Sequence, residues 1–420
     1  MAETLKAPRG CPDWLPEDYY LAEEIVKRAQ NTCENYGFLG YKTPIFEHAP
    51  VFTKSLGDSS DIITKEMYSF KDKNDELFIL RPEATAPLVR LFLSHKLKRE
   101  LPLKMFTYGP MFRYERPQKG RQRQFHQIGV EHLGGPTDLF SEFEMISMGQ
   151  QFLNSLNLKT KTKVLVNALG DSDQRTKFKT TLVEYLRPLK DELSDDSQNR
   201  LESNPLRILD SKSKEDQEIL RNAPKLYDFL TQEQKDHVQS LISALKDSGV
   251  DVEMSPLLVR GLDYYNDIVF EIVALEGLGS QNTILAGGRY DNLIGSMGKD
   301  DVSAIGWGAG LERLMLLSNK TNHPTPDLGL VLAEDNESLL IKISHKIRTA
   351  ELSLFVPTSG NFSKRMQKCQ KQGVQWCIVI GEDEIQKNLW TLKNFSTSEQ
   401  IQKAPEEAIT FFKEQFSSSL

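Results

Sequence analysis

Apolar residues recur along this chain with two periods, and the places where the period changes mark its elements. Over residues 17–36, Ala22, Ile25, Val26, Ala29, Cys33 and Tyr36 fall at helical spacing, and Gly37 supplies a stop. Residues 40–46 (GYKTPIF) are extended but broken by Pro44, which has no N–H for a ladder, so they predict a sheet edge or an interface. Strand-like runs follow at 76–80, 104–114 and 124–133, with a helix between the first two over 86–98. From Gly170 to about Val250 the sequence becomes charged and helix-rich. Leu182, Tyr185, Leu186, Leu189 and Leu193 form one apolar stripe there, and Thr231 with Gln234 makes a capping box before a helix ending near Gly249. Strand character resumes at 257–259 and 268–273, so the intervening stretch reads as an inserted helical module. A linker at 323–326 holds two prolines. Beyond it, strands at 328–333, 352–356 and 376–380 alternate with helices at 338–349 and 362–372, which predicts a small α/β domain with parallel strands.

Composition narrows the function classes. A chain of 420 residues usually holds two or three domains. Its 59 acidic and 52 basic residues leave a net charge of −7, so any nucleic-acid partner must be met by a local basic face rather than by bulk charge. Cys11, Cys33, Cys369 and Cys377 form no CxxC pair, which argues against a zinc site and a disulfide framework and fits a reducing compartment. The first twenty residues have neither the apolar core of a signal peptide nor the acid-poor character of a transit peptide, and no apolar run reaches membrane-spanning length. A cytoplasmic protein without a membrane partner is expected.

Five segments carry candidate chemistry. Residues 112–131 (FRYERPQKGRQRQFHQIGVE) set Arg113, Arg116, Lys119, Arg121 and Arg123 on a strand–loop–strand that closes on Gln127 and Glu131. Such a hairpin presents several cations to a polyphosphate, because guanidinium forks grip phosphate oxygens with paired hydrogen bonds; it is also what a solvated basic hairpin looks like. In residues 80–85 (LRPEAT), Glu83 and Thr85 suit either a ligand ammonium or the cap of the following helix. Residues 258–266 (LVRGLDYYN) put Arg260 and Asp263 between apolar strands, where each needs a partner: a ligand, or one another at a turn. The paired glycines of AGGRYD (286–291) admit a ligand close to backbone, or serve a tight strand bend. Residues 306–314 (GWGAGLERL) run small residues on a strand into a helix carrying Arg313, giving room for a nucleotide or for close helix–sheet packing.

In their order and spacing these segments resemble the class II aminoacyl-tRNA synthetases, and within them the histidyl-tRNA synthetase family of the bacterial type. Residues 40–46 look like the class's first motif, usually at the dimer interface, residues 112–115 with their arginine-rich loop like the second, and 306–313 like the third. LVRGLDYY and AGGRYD are the two signatures that separate the histidine enzymes from their relatives. The resemblance implies an α+β fold: an antiparallel sheet of six or seven strands flanked by helices, with a helical insertion and a C-terminal α/β anticodon-binding domain. The implied boundaries are 1–169 and 253–322 for the two parts of the catalytic core, 170–252 for the insertion and 327–420 for the anticodon-binding domain.

The resemblance also implies roles. ATP and L-histidine would form histidyl-adenylate, and a histidine tRNA would take the histidyl group. Arg113 would hold the α-phosphate, Glu115 the adenine, Phe125 would stack on the base, and Arg121 and Arg313 would meet the outer phosphates. Mg2+ would ride on the nucleotide, with no protein metal site. Arg260 would stand beside the histidine carboxylate and the α-phosphate as the second catalytic cation, with Arg113. Glu83, Ala84, Thr85 and Gln127 would line the α-amino end, Glu131 and Tyr265 the imidazole, and Tyr264 the pocket wall; Ala84 stands where many relatives have glycine. Arg116, Gln118 and Arg123 match positions that read the acceptor end of the tRNA, and Lys364, Arg365, Lys368 and Lys371 offer a helix face to its phosphates. A homodimer is implied. Two other readings compete: a catalytically inactive paralogue that regulates ATP phosphoribosyltransferase in histidine biosynthesis, and a ligase of this fold that activates another carboxylic acid.

Overall fold

The computed structural model describes residues 5–56, 62–211, 213–259, 262, 264–279, 281–298, 300–321 and 324–417. Arg260 and Asp263 lie outside them. The chain divides into two compact units, Met1–Thr321 and Asn322–Leu420.

In the first unit the opening helix, Pro16–Asn35, begins on a proline that costs it no bond and carries Glu17 and Asp18 in its first turn. Leu21, Ala22, Ile25, Val26, Ala29 and Cys33 bury one face, and Gly37, at φ 80, ends it. The strands are β1 (Leu39–Gly40), β2 (Phe46–His48), β3 (Tyr68–Lys71), β4 (Leu77–Leu80), β5 (Leu103–Phe112), β6 (Gln124–Leu133), β7 (Thr162–Ala168), β8 (Val252–Met254), β9 (Asn266–Ala274), β10 (Thr283–Arg289) and β11 (Ala304–Gly310). The main sheet has the order β1-β5-β6-β11-β10-β9-β7-β8. Its six inner strands are all antiparallel, and the short β1 and β8 add parallel edges. The sheet therefore has eight strands, not six or seven. Elements of two and three residues are too short to show an alternating pattern.

Pro44 falls between edge strand β1 and β2, which joins the small sheet β2-β4-β3. Arg81, fully buried, pins this crossing: its guanidinium donates to Thr43 O and Oγ1 at 3.1 and 2.9 Å, and to Pro110 O at 2.9 Å. Residues 257–259 do not form the expected strand. Leu258 and Val259 are buried, but Asn167 Nδ2 donates to Leu258 O at 2.9 Å, so a side chain takes the place of a ladder partner.

Between β7 and β8 run the helices Ser172–Leu186, Asp195–Ser203, Lys214–Leu220 and Gln232–Asp247. Both Asp171–Gln174 and Thr231–Gln234 form capping boxes, and Gln174 Nε2 donates to Gln234 Oε1 at 2.8 Å, tying the first helix to the last. The 182–193 stripe is not one helix: the chain tightens into a 3-10 turn over Arg187–Glu192, which includes Pro188. Leu182, Leu186 and Leu193 are nevertheless all buried.

The second unit holds β12 (Leu328–Leu332), β13 (Leu354–Phe355), β14 (Trp376–Ile380), β15 (Trp390–Asn394) and β16 (Gln400–Lys403), in the order β13-β12-β14-β15-β16. The first three strands are parallel, as the alternation predicts, while β15 and β16 add an antiparallel hairpin. Helices Glu337–Thr349, Phe362–Lys371, Glu382–Lys387 and Pro405–Ser417 accompany them, over a core that includes Leu330, Ile347, Ile378, Leu392 and Phe412.

Candidate active site

The site is built on the inner strands β6 and β11, whose register sets Glu131 opposite Gly306 and Gln127 opposite Gly310. A Cβ on Gly306 would overlap Glu131 Oε2 and come within 2.6 Å of Val130 O, and one on Gly308 would overlap the Gln127 amide. The glycines of the GWGAG run thus clear space over β11 for two polar side chains of β6. Glu131 is buried; its Oε1 accepts from Thr85 Oγ1 at 2.7 Å and its Oε2 from the Tyr290 hydroxyl. Burial pushes the Glu131 carboxyl up to about 8, against the pull of those two hydroxyls, and the nearby Glu83 charge adds to the rise. Glu83, also buried, accepts from the N–H groups of Thr85 and Ala86 at 2.7 and 2.8 Å. It caps the helix Thr85–Ser94, and burial holds its carboxyl above the usual range despite those bonds. Ala84 packs on the backbone of Gly129, where an added Cβ would lie 3.2 Å from its own. Among the described residues, Gln127 Oε1 is buried without a hydrogen-bond partner, a cost a ligand donor would relieve.

Three tyrosines wall this pocket. Tyr264 and Tyr265 are in contact, ring centroids 4.7 Å apart, and Tyr290 lies 5.6 and 6.4 Å from them. Burial raises the Tyr264 phenol well above its ordinary value.

Beside the pocket, cations converge. Arg113 donates through Nε to Pro82 O at 2.9 Å and lies over the Phe125 ring, 5.2 Å from its centroid. Arg313 donates from Nε to Gly120 O at 3.0 Å and from Nη1 to Thr283 O at 2.5 Å, tying the helix Leu311–Leu317 to the loop tip. That tip is a tight turn in which Gln118 and Arg121 exchange backbone bonds, with Gly120 at φ 73. Burial lowers the Arg313 guanidinium first, and repulsion from Arg121 and Arg113 lowers it further, so the three charges share one region. Arg121 pairs with Glu115 at 3.4 Å.

Comparison with known proteins decides what this arrangement belongs to. The family model described as "Histidyl-tRNA synthetase" matches residues 10–314, and that described as "Anticodon binding domain" matches 317–415. A protein of Rickettsia bellii named "Histidine--tRNA ligase" is 44% identical over 402 residues, covering 95% of this chain and 96% of that protein. One of the same name from Wolbachia pipientis is 42% identical over 398 residues, covering 94% and 97%. The chain belongs to the histidyl-tRNA synthetase family. The apo histidyl-tRNA synthetase of S. aureus, at 30% identity, superposes with a TM-score of 0.80 and covers 98% of this chain and all of that one.

Within that synthetase fold, the residues named from sequence are not equally free. Arg116 and Gln118 are exposed on the loop, while Arg123 lays its guanidinium 4.0 Å from the Tyr114 ring centroid and its backbone N–H donates to Gly10 O at 2.8 Å. On the helix Phe362–Lys371, Lys364 is exposed, but Lys368 Nζ donates to Ser359 O and Oγ at 2.8 and 2.6 Å. Arg365 turns to Asp335 at 2.9 Å and leaves the exposed strip. Arg260 lies outside the described residues. Sequence reasoning quoted AGGRYD but assigned Tyr290 no role; its place between Arg289 and Asp291, alternating with them along β10 and its end, is the signal that separates it. Arg289 is buried against Glu142 at 3.5 Å and Asp291 at 3.4 Å.

Proposed function

We infer that this chain joins L-histidine to its tRNA in two steps, forming histidyl-adenylate and diphosphate from histidine and ATP, then passing the histidyl group to the tRNA with release of AMP. The observation that carries this reading is a buried, hydroxyl-bonded Glu131 next to the Arg113–Arg121–Arg313 cluster. An imidazole placed at Glu131 is read by a carboxylate whose own position is set by Thr85 and Tyr290, and Tyr265 closes the other side. Gln127 and the Glu83–Thr85 turn, with Ala84, take the α-amino end. Ligands lacking these hydrogen bonds leave buried polar groups unpaired, which rejects them by about 10⁴-fold.

Phosphoryl chemistry here needs placement and charge neutralisation. Phe125 offers a face to adenine and Glu115 an acceptor, Arg113 holds the α-phosphate, and Arg121 and Arg313 the outer ones. Release of Arg121 from Glu115 on ATP binding frees both groups for the nucleotide. Arg260 supplies the second cation at the reacting carboxylate. Mg2+ would be carried by the phosphates and water, with Glu115 and Glu271 the acidic groups whose charge reaches Arg313. It would neutralise phosphate charge; the protein's part is to orient the nucleotide.

The catalytic core comprises 1–169 and 253–322, with 170–252 inserted and 327–420 as the anticodon-binding domain. Arg116, Arg123, Lys364 and Lys368 contribute the basic contacts for tRNA, with the Gln118 amide beside them. A homodimer is supported by exposed Leu39, Ile45, Phe46, Phe70, Leu77 and Tyr108 along the first-motif edge. A cytoplasmic location is part of this reading; no described helix is long and apolar enough to cross a membrane.

The test is histidine-dependent exchange of labelled diphosphate into ATP. Arg260→Ala is expected to lower kcat by about 10²–10³-fold, the usual effect of removing one preorganised charge. No exchange by the parent protein would sink this reading and favour the regulatory one.

A further inference from the structure

The helical segment between β7 and β8 touches the amino-acid pocket's supports at two points. Arg175, on Ser172–Leu186, donates from Nη1 to Tyr265 O at 2.5 Å. His237, on Gln232–Asp247, meets Glu142 Oε2 through Nε2 at 2.7 Å. Glu142 is buried, and its other oxygen faces buried Arg289 Nη1 at 3.5 Å. Arg289 Nε reaches Asp291 Oδ2 at 3.4 Å, and its Nη2 reaches Pro136 O at 3.4 Å. Asp291 then binds Asn266 twice, accepting from Nδ2 at 2.9 Å and donating its N–H to Oδ1 at 2.7 Å, while Oδ1 accepts from Ala304 N at 2.8 Å. Arg289 and Asp291 flank Tyr290 in sequence, and Asn266 follows Tyr264 and Tyr265. All three wall tyrosines are therefore anchored by one polar network, and His237 is the point where the helical segment enters it.

We propose that His237 is a positioning residue: through Glu142, Arg289 and Asp291 it sets Tyr290 and the Tyr264–Tyr265 turn, and thereby couples the helical segment to affinity for the amino-acid substrate. The proposal rests on the synthetase reading above. Its physical basis is charge balance in a buried space. His237 faces Glu142 on the helix Leu139–Ser155, Asp267 at the start of β9 and Arg289 on β10, with Asp291 behind them. Glu142 holds His237 and Arg289 by opposite oxygens. Without the imidazole, Glu142 has Arg289 alone as its cation and draws it from Asp291, which loosens the anchors on both sides of Tyr290. Asp267, at φ 53, sits next to this network, its carbonyl accepting from Leu169 N at 2.7 Å. The kinked backbone just after Asn266 is thus held from the same side.

The Glu142 bond raises the imidazole above its ordinary value, burial opposing. A group so raised contributes fully below its unfolded pKa and loses its contribution as pH climbs through the higher folded one. Affinity for histidine should therefore share that alkaline limb.

The experiment measures diphosphate exchange with full-length parent, His237→Ala and His237→Gln, with thermal melting to confirm folding. His237→Ala is expected to raise KM for histidine about three- to thirtyfold, the range of couplings carried by such networks, with KM for ATP and kcat within about twofold. His237→Gln keeps an N–H donor for Glu142 and should recover most of the affinity, while the ratio of its kcat/KM to the parent's rises with pH. An unchanged KM for histidine in the alanine variant, equal changes in both KM values, or a pH-independent ratio overturns the coupling. Absence of exchange in the parent removes instead the reading on which it stands.

Discussion

Glu131 occupies a position that few carboxylates tolerate, fully buried among hydroxyls and another acid. Its folded pKa, pushed up to about 8, exceeds that of the unfolded chain, so the folded protein keeps a proton between about pH 4.5 and 8 that the unfolded chain releases. Stability of the unliganded enzyme should fall as pH rises through that window, and Glu131→Gln should flatten the trend in melting temperature against pH. The same variant should lower kcat/KM for histidine by about ten- to a hundredfold, the worth of a hydrogen bond to a charged group, with KM for ATP little moved. Steady-state exchange kinetics with each substrate varied check this. At this scale the sequence disclosed residue types but not their employment. Glu83 carried two readings, ligand and cap, and the structure adds that the Thr85 and Ala86 N–H groups both reach its carboxylate. Arg123 looked like its neighbours, but its guanidinium is laid over Tyr114.

Among elements, the β6–β11 pair illustrates how register creates a pocket. Glycines at 306 and 308 are needed because the opposing strand's side chains occupy their Cβ space. Gly306→Ala should displace Glu131 and reduce kcat/KM for histidine at least about a hundredfold, at a stability cost of about 1–3 kcal/mol typical of overpacking. Exchange assays and denaturant melts separate the two effects. In the helical segment, Asp216 is fully buried and accepts from Ser194 N and Oγ at 2.8 and 2.7 Å and from Ser197 and Ser211 hydroxyls at 2.6 and 2.5 Å. Burial raises its carboxyl, but those donors outweigh it and leave the pKa lowered. That contribution is present above the unfolded value and lost as pH falls through the folded one. Asp216→Asn, which replaces an acceptor by a donor, should destabilise this segment by about 2–3 kcal/mol. Faster amide exchange in Asp195–Ser203 and Lys214–Leu220, with slower exchange elsewhere unaffected, is the expected readout. The long periodic elements were legible beforehand: the opening helix, β5, β6 and the Thr231–Gln234 capping box need only local spacing and caps. The buried segment 257–259 was not, because apolar content fits a strand and a side-chain-satisfied turn equally well.

For the whole molecule, the division after Thr321 separates the unit matched by the histidyl-tRNA synthetase model from the unit matched by the anticodon-binding model. A chain ending at Thr321 should retain histidine-dependent exchange while kcat/KM for tRNA drops by roughly 10²-fold, the scale on which a second tethered contact adds to a first. Aminoacylation and exchange measured side by side test it; equal loss of both would mean that the first unit does not stand alone. The antiparallel hairpin β15–β16 and the parallel edge β8 escaped prediction, since short strands acquire identity from the neighbour they pair with.

Periodicity, caps and the order of five short motifs were enough, from the amino-acid sequence alone, to point to the family, to a C-terminal domain behind a linker and to the residue types of the candidate site. These properties are encoded locally, in spacings of a few residues. Convergence was decided only by tertiary structure: which arginine faces the cleft, which is bound to a neighbour, and that Tyr290 completes the Glu131 pair across 159 residues of chain. Such contacts depend on strand register and on where buried charge finds a partner, and neither is written into the spacing of residues along one strand.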